Sequence, residues 1–547
     1  MEQHTIQMRE YRFPIILALF ILVLGTLPYI YGYMNANEDD VFMGFVGRGT
    51  PGAHGYLMFG KQVADGNVFL ENRMTPDRLP ANYFNLEWWV WGNTARILGL
   101  SLMETFHFFR CLAVMVFILG TYFLASQCTT SIALRRIAVG LVCLGAGFGW
   151  IATLLNSYVG THLQPLLDMK GVVIFGYLIN KPHFIRAGIC VVFTYAFLLK
   201  GVRTGQLRYY VLSGLAALTH SAIRPFHIPE TFLLYALLPV LLMLREQTWK
   251  PRLWWGPFLA GLINLPGIAY YVWLSRTGAL GISGWTPQPV HLLSYLIWLG
   301  VPFVCCVLAF LVVPWMKQFK DMHVETLFLA LWALVAYALN ESYPYWFAGW
   351  EGGFYAFQIG IPILFVTRLV PGAGAWLKER SDFVRKGSSL QWIALLCIIT
   401  VPGTTLVYKT FFDTLKEPSN NLHTYYISKG LHESLLWLND HANTSEVVMC
   451  SEPVGQFVPR FSDCKVIAGH IMLTTNYHIR NQEVGRFYRD QDDHAFKQSI
   501  LDKHGVRFVL YSPFEKQIGA IAPENNPWLR PVFQAGDTTI YEYAPTG

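Results

Sequence analysis

The sequence predicts a polytopic α-helical membrane protein that ends in a C-terminal extracytoplasmic α/β domain. Three observations predict it. Of 547 residues, 53% are hydrophobic and only 14% charged, where soluble domains carry about 25% charged residues, and the mean hydropathy is +0.34. Leu-, Ile-, Val- and Phe-rich windows of about 19 residues recur through most of the chain and then stop. The short loops assigned inward each carry at least two Lys or Arg, whereas the loop around Tyr343 to Trp346 carries none. The net charge of +6 is modest and no basic tract is dense enough for nucleic acid, so topology explains the Lys and Arg.

Helix 1 is predicted from Phe13 to Tyr33. Arg9 and Arg12 hold its N-terminus in the cytoplasm, and no small-x-small cleavage site follows, so it reads as a retained signal anchor. The first outer loop, residues 34–105, contains an amphipathic segment (Ala53 to Ala64, with Tyr56, Phe59 and Val63 at helical spacing) and the aromatic run Asn82 to Trp91, which suits the headgroup level. Helix 2 (Phe106 to Ser126) returns to Arg135-Arg136, and helix 3 (Ile137 to Leu155) goes out again. The second outer loop carries Thr161, His162, Asp168, Lys170, Lys181 and His183, and helix 4 (Phe184 to Leu199) comes back to Lys200, Arg203 and Arg208. Between Tyr209 and Leu244 two short apolar halves, helices 5 and 6, flank His220-Ser221-Ala222-Ile223-Arg224-Pro225-Phe226-His227. Such a polar break is tolerated at membrane depth only in contact with protein or water. Helices 7 (Leu253 to Leu274), 8 (His291 to Trp315), 9 (Val324 to Ala338), 10 (Gly353 to Val370) and 11 (Gln391 to Tyr408) complete a count of about 11.

From about Lys409 the composition becomes that of a soluble domain, dividing the chain into 1–408 and 409–547. Leu431 to Asn439 and Asp493 to His504 read as helices. Glu446 to Cys450, Cys464 to Ala468 and Arg507 to Tyr511 read as strands. Pro531-Val532-Phe533 and Thr538 to Tyr543 read as a hairpin closed by Gln534-Ala535-Gly536-Asp537. Alternating strands and helices predict a small α/β domain, outside the membrane by helix count. The nine Cys form no C-x-x-C pair, and most sit in apolar runs. Cys450 and Cys464 share a polar region, where an oxidising compartment permits a disulfide.

Asn35-Ala36-Asn37-Glu38-Asp39-Asp40 follows helix 1 directly. Three consecutive carboxylates at a membrane edge are either a solvated helix flank or a site. A retained first helix, this acidic motif in a long first outer loop, the Gly99-Leu100-Ser101 lead-in to helix 2 with Arg110, many helices and an outer C-terminal domain together resemble one family. It is the GT-C superfamily of membrane glycosyltransferases, in particular the enzymes allied to protein O-mannosyltransferases and the aminoarabinose transferase. The resemblance implies a polyprenyl-phosphate-linked sugar as donor, inversion, and a lipid, glycan or protein acceptor. It also implies an integral plasma-membrane location, with a site bounded by the first two outer loops and the helix 9–10 loop. In that superfamily the acidic pair after helix 1 is catalytic, and here Glu38, Asp39 and Asp40 match it. Some metal-dependent members carry a D-x-D-type pair in the second outer loop. Here Asp168 stands alone, so no metal ligands are assigned and a divalent metal is not favoured.

Sugar transfer from a lipid phosphate needs a base for the acceptor proton, a negative environment for the oxocarbenium-like charge and fixed cations for the departing phosphate. Asp39 or Asp40 is the expected base, with Glu38 orienting or tuning it. Lys181, His183 and Arg186 at the start of helix 4, with Arg224 at the helix 5–6 break, are the expected phosphate ligands; for Arg224 a structural role, bonding backbone carbonyls freed at the break, fits equally well. Arg186 lies one turn into an apolar helix, where an isolated charge costs about 2.5–3.5 kcal/mol; snorkelling to headgroups is the plainer reading of it. Tyr345, Trp346 and Glu351 are expected to hold sugar or acceptor, because pyranose C–H faces stack on rings; an interfacial aromatic belt is the competing reading. Two other functions fit parts of the pattern: a transporter or flippase of lipid-linked sugars, which would survive neutralising Asp39 and Asp40, and a non-catalytic scaffold presenting the C-terminal domain.

Overall fold

The computed structural model describes residues 10–47, 51–151, 173–280, 297–312, 319–341, 354–372, 400–416, 425–444, 446–490, 492–519 and 526–544, with isolated positions near 391 to 398. Apolar length explains the first elements. Helix α1 (Arg12–Met34) precedes a short strand β1 (Asp40–Phe42), and α2 (Pro51–Ala64) and α3 (Leu86–Leu98) follow in the first loop. Helix α4 (Leu102–Cys128) starts four residues before the sequence reading, because Ser101 and Glu104 cap each other's backbone N–H at 3.2 and 2.7 Å. Helix α5 (Ile132–Leu144) ends at Gly145, with Gly147 at φ +57, so predicted helix 3 is interrupted where a continuous run was expected.

The next helices are α6 (Ile174–Asn180), α7 (Pro182–Thr204), α8 (Leu207–Ile223), α9 (Ile228–Glu246), α10 (Arg252–Thr277), α11 (Val301–Val312) and α12 (Val324–Glu341). An apolar helical stretch, Ala356–Gly372, is partly wound as π-turns, and α13 (Pro402–Asp413) follows. Among the described residues seven helices are long and apolar enough to cross a membrane, α1 and α4 being two of them.

The C-terminal region contains β2 (Tyr426–Ser428), α14 (Lys429–His441), β3 (Val447–Met449), α15 (Glu452–Phe461), β4 (Lys465–Val466), α16 (Tyr477–Arg489), α17 (His494–His504), β5 (Val506–Tyr511), α18 (Pro513–Ile518), β6 (Leu529–Ala535) and β7 (Thr538–Tyr543). Five strands form one sheet in the order β4-β3-β5-β7-β6, with β3 parallel to β4 and β5, and β7 antiparallel to β5 and β6. Period-two alternation sends Val448 and Leu510 to one face, under Leu431, Leu435 and Phe457, and Met449 and Val509 to the other, under Phe487 and Leu501. Helices α15 and α16 were not expected from the sequence. One carries Pro453 and Pro459, and the other is so polar that its buried face rests on few residues. Cys450 and Cys464 are both buried and free. Cys450 follows β3 and Cys464 precedes β4, so they flank opposite ends of two parallel strands.

Two compact units divide the chain: 1–26, 108–271 and 287–410 form a helical unit, and 27–107, 272–286 and 411–547 form a second, built of loop and sheet. The helical unit buries large aromatics, including Trp332, Tyr122, Tyr177, Tyr195 and Tyr355. In the second unit the first loop is tied to the sheet domain. Strand β1 pairs antiparallel with β2, and Met43 joins the core under the sheet. Arg73 and Lys61 reach Asp463 at 2.5 and 3.1 Å, and Lys465 reaches Glu71 at 2.5 Å.

Candidate active site

The acidic run lies in the loop-and-sheet unit, and local bonding sets its three carboxylates apart. Where α1 ends, Asn35 donates to the Leu415 carbonyl at 2.6 Å. The chain then turns through an Asp40 N–H to Asn37 carbonyl bond of 3.1 Å and enters β1 at Asp40. Register places Asp40 opposite Ser428, Val41 opposite Ile427 and Phe42 opposite Tyr426. The Phe42 ring lies so close to Gly32 that a Cβ there would stand 2.5 Å from Phe42 Cζ, which fixes the strand against the helix end. The Lys429 N–H donates to the Asp39 carbonyl at 2.8 Å.

Glu38 and Asp39 are exposed, and Asp40 is half-buried. Asn37 Nδ2 donates to Asp40 Oδ2 at 3.3 Å. Partial burial raises the Asp40 carboxyl above the ordinary carboxylate value; the Asn37 bond opposes the rise, and the charges of Asp39 and Asp537 add to it. Asp537, at the β6–β7 turn, accepts from Ser428 Oγ at 2.9 Å. A carboxylate with a raised proton affinity, held by one neutral donor, has the electrostatics of a general base.

The basic residues lie in the helical unit, and two prolines position them. Lys181 precedes Pro182 and Arg224 precedes Pro225; a residue before proline is driven out of the α region. Lys181 accordingly has φ −128 and ψ 69, and Arg224 has φ −144 and ψ 109. Each cation therefore stands at a break, ahead of α7 or of the 3-10 turn Pro225–His227 that leads into α9.

Both side chains meet at the ring of Phe184. Arg224 Cζ lies 3.7 Å and Lys181 Nζ 5.3 Å from its centroid, and the His183 ring lies 4.8 Å from it. Tyr355 donates to the Phe184 carbonyl at 2.5 Å. Arg224 and His183 are buried. Arg186, a turn further along α7, places its guanidinium over Phe109 at 5.1 Å, while the neighbouring Arg110 donates to the Gly25 carbonyl and to Thr26 Oγ1, each at 3.2 Å.

Lys181, His183 and Arg224 are thus brought together, and Arg186 packs on a different ring. Tyr345, Trp346 and Glu351 lie outside the described residues, as do Thr161, His162, Asp168 and Lys170. Among the described residues no group of three or more His, Cys, Asp or Glu side chains is arranged to hold a metal ion.

Glu230 was missed in the sequence. It is fully buried, and its Oε1 accepts from Trp332 Nε1 at 2.6 Å and Tyr195 OH at 3.0 Å. The signal for it was present: an acidic residue inside the apolar run of α9, three positions after His227.

No known family profile matches the sequence, and no curated protein matches it. Solved structures do match. The oligosaccharyltransferase of Archaeoglobus fulgidus, solved with a tethered acceptor peptide, aligns over 97% of this chain and 74% of its own at TM-score 0.51 and 11% identity. The same archaeal enzyme, AglB, with an inhibitory peptide and a dolichol-phosphate, aligns over 90% of this chain and 69% of its own at TM-score 0.51 and 11% identity. The mycobacterial arabinofuranosyltransferase AftD aligns over 96% of this chain at TM-score 0.55 and 13% identity, the match spanning 40% of AftD. Both proteins are GT-C membrane glycosyltransferases.

This chain has the GT-C fold. In it the acidic run follows the first helix, and the basic residues gather where α7 and α9 begin.

Proposed function

We propose that this GT-C-fold chain is a membrane glycosyltransferase that moves a sugar from a polyprenyl-phosphate donor to a hydroxyl acceptor, with inversion. The observation that carries the reading is Asp40, the one carboxylate of its run that is half-buried, restrained by Asn37 and raised in proton affinity. The dolichol-phosphate bound to AglB, a structure of the same fold, supports a lipid-phosphate donor here. The outer face is supported by Arg9, Arg12 and the basic short loops.

In this mechanism Asp40 takes the proton of the acceptor hydroxyl as its oxygen attacks the anomeric carbon. The bond from that carbon to the phosphate oxygen breaks and its electron pair leaves with the phosphate. A singly charged diester becomes a monoester that can carry a second negative charge, so fixed cations favour the transition state over the ground state. Lys181 and Arg224 supply that charge, with Arg186 as a further cation on the same helix and His183 beside them as a neutral hydrogen-bonding ligand for the phosphate. Glu38 and Asp39 make the surroundings of Asp40 negative, and Tyr345, Trp346 and Glu351 are assigned to sugar and acceptor. No step passes through a metal.

The test is release of polyprenyl phosphate from a panel of polyprenyl-phosphate sugars by the purified chain in detergent, with and without EDTA. Turnover of at least one donor, unchanged by EDTA, is expected. No turnover of any donor, with lipid-linked sugar instead carried across vesicles by wild type and by an Asp39→Asn, Asp40→Asn double variant, overturns the reading in favour of a flippase.

A further inference from the structure

Behind the Arg224 break the helical unit buries a second polar group that the proposed transfer does not use. Glu230, His227 and His220 are 0%, 1% and 2% exposed. Among the described residues Glu230 Oε2, His227 Nδ1 and His220 Nε2 find no hydrogen-bond partner. Buried polar atoms are bonded in the great majority of cases, and exceptions concentrate where a structure must act. Glu230 is half satisfied. Trp332 from α12 and Tyr195 from α7 both donate to Oε1, which locks the carboxylate and turns Oε2 toward His227 Nδ1 at 3.7 Å. A few tenths of an ångström of closure makes that approach an N–H···O bond and fixes which imidazole nitrogen carries hydrogen.

His227 also faces the cation group. Its ring lies 4.7 Å from that of Tyr355 and 5.2 Å from that of His220. The Tyr355 hydroxyl is bonded to the Phe184 carbonyl, and the Phe184 ring carries Arg224 and Lys181. Glu230, His227, Tyr355 and Phe184 therefore form a continuous line of contacts ending at the two cations.

We propose that Glu230 is a positioning residue for the phosphate group of the donor, acting through His227 to fix the break that presents Arg224. This rests on the donor-phosphate reading above. Glu230 touches no reacting atom; it holds the imidazole that holds the turn. Glu230→Gln is the informative change because it keeps shape and can still accept from Trp332 and Tyr195, yet presents an amide N–H₂ to His227 Nδ1.

The experiment measures binding of a short-chain isoprenyl phosphodiester to the purified full chain, for wild type, Glu230→Gln, His227→Gln, the double variant and Arg224→Gln, with melting temperature recorded for each. Each single change at Glu230 or His227 is expected to weaken binding about five- to tenfold, and the double variant to lose less than about twofold more than the weaker single. Trp332→Phe, which removes one donor to Oε1, gives a second route to the same partial loss should Glu230→Gln fail to fold. Wild-type affinity in Glu230→Gln, or losses that multiply in the double variant, overturns the inference. If Arg224→Gln still weakens binding in that case, the donor-site reading stands without it; if Arg224→Gln also binds as wild type, both fall.

Discussion

Asp463, half-buried, and Glu230, fully buried, are both carboxylates held by side-chain donors, and the two units satisfy them differently. Asp463, in the loop-and-sheet unit, accepts from Lys61 and Arg73, and close by Lys465 answers Glu71. Asp463 and Glu71 thus both have positive partners, and the pairs join the first loop to the sheet domain. Glu230, in the helical unit, accepts among the described residues from an indole N–H and a phenol, and its second oxygen faces His227. The cations nearby stand over aromatic rings. Ion pairs tie the first loop to the sheet domain, whereas around Glu230 neutral donors hold the carboxylate and the Arg224 and Lys181 side chains pack on an aromatic face.

The largest effect should come from the cation group of the helical unit. Arg224→Gln is expected to weaken binding of an isoprenyl phosphodiester about 10- to 100-fold, the range for losing charge-assisted bonds to phosphate, with little change in melting temperature. Arg73→Gln is the converse test. It leaves Asp463 with Lys61 alone and should destabilise the loop-and-sheet unit by about 1–3 kcal/mol, read as faster proteolysis of the first loop, while phosphodiester affinity holds. Equal loss of affinity in the two variants would break the contrast between the units.

Acid sharpens the same contrast. Burial pushes the Asp77 carboxyl up, but bonds from Thr475 and Arg480 and the Arg480 charge outweigh it and hold it below the ordinary value. Arg73 and Lys61 do the same for Asp463 against its burial. Folded values below unfolded ones mean that this stability is present above the ordinary carboxylate range and is lost as pH falls through the depressed values. Thermal melts at pH 7 and pH 3 should show the loss, and Arg73→Gln should shrink it. The smallest effect is expected from Ser101→Ala, which opens the cap of α4 at a cost of about 0.5–2 kcal/mol, visible as a small drop in melting temperature.

Much of this was legible in the sequence. Apolar runs located α1, α4, α7, α9, α10 and α12, and the hairpin of β6 and β7 was signalled by Gly536, which adopts φ +51. Lys181-Pro182 and Arg224-Pro225 marked both breaks, because proline acts on the residue before it whatever the tertiary surroundings. What could not be read is what depends on partners distant in sequence. Asp40 differs from Asp39 only because β1 pairs with a strand almost 400 residues away, at Ser428. The coupling of Glu230 to Trp332 and Tyr195 spans three helices with no shared sequence period. Cys450 and Cys464 looked pairable until strand register set them apart.

The central claim, that Asp40 is the base, is tested most directly by single-turnover sugar transfer with Asp40→Asn and Asp39→Asn side by side, using a donor that the wild type turns over. The account predicts a loss of about 10²- to 10⁴-fold in Asp40→Asn, the usual worth of a general base, with Asp39→Asn within about tenfold of wild type. Wild-type rates in Asp40→Asn and in the double variant would contradict it.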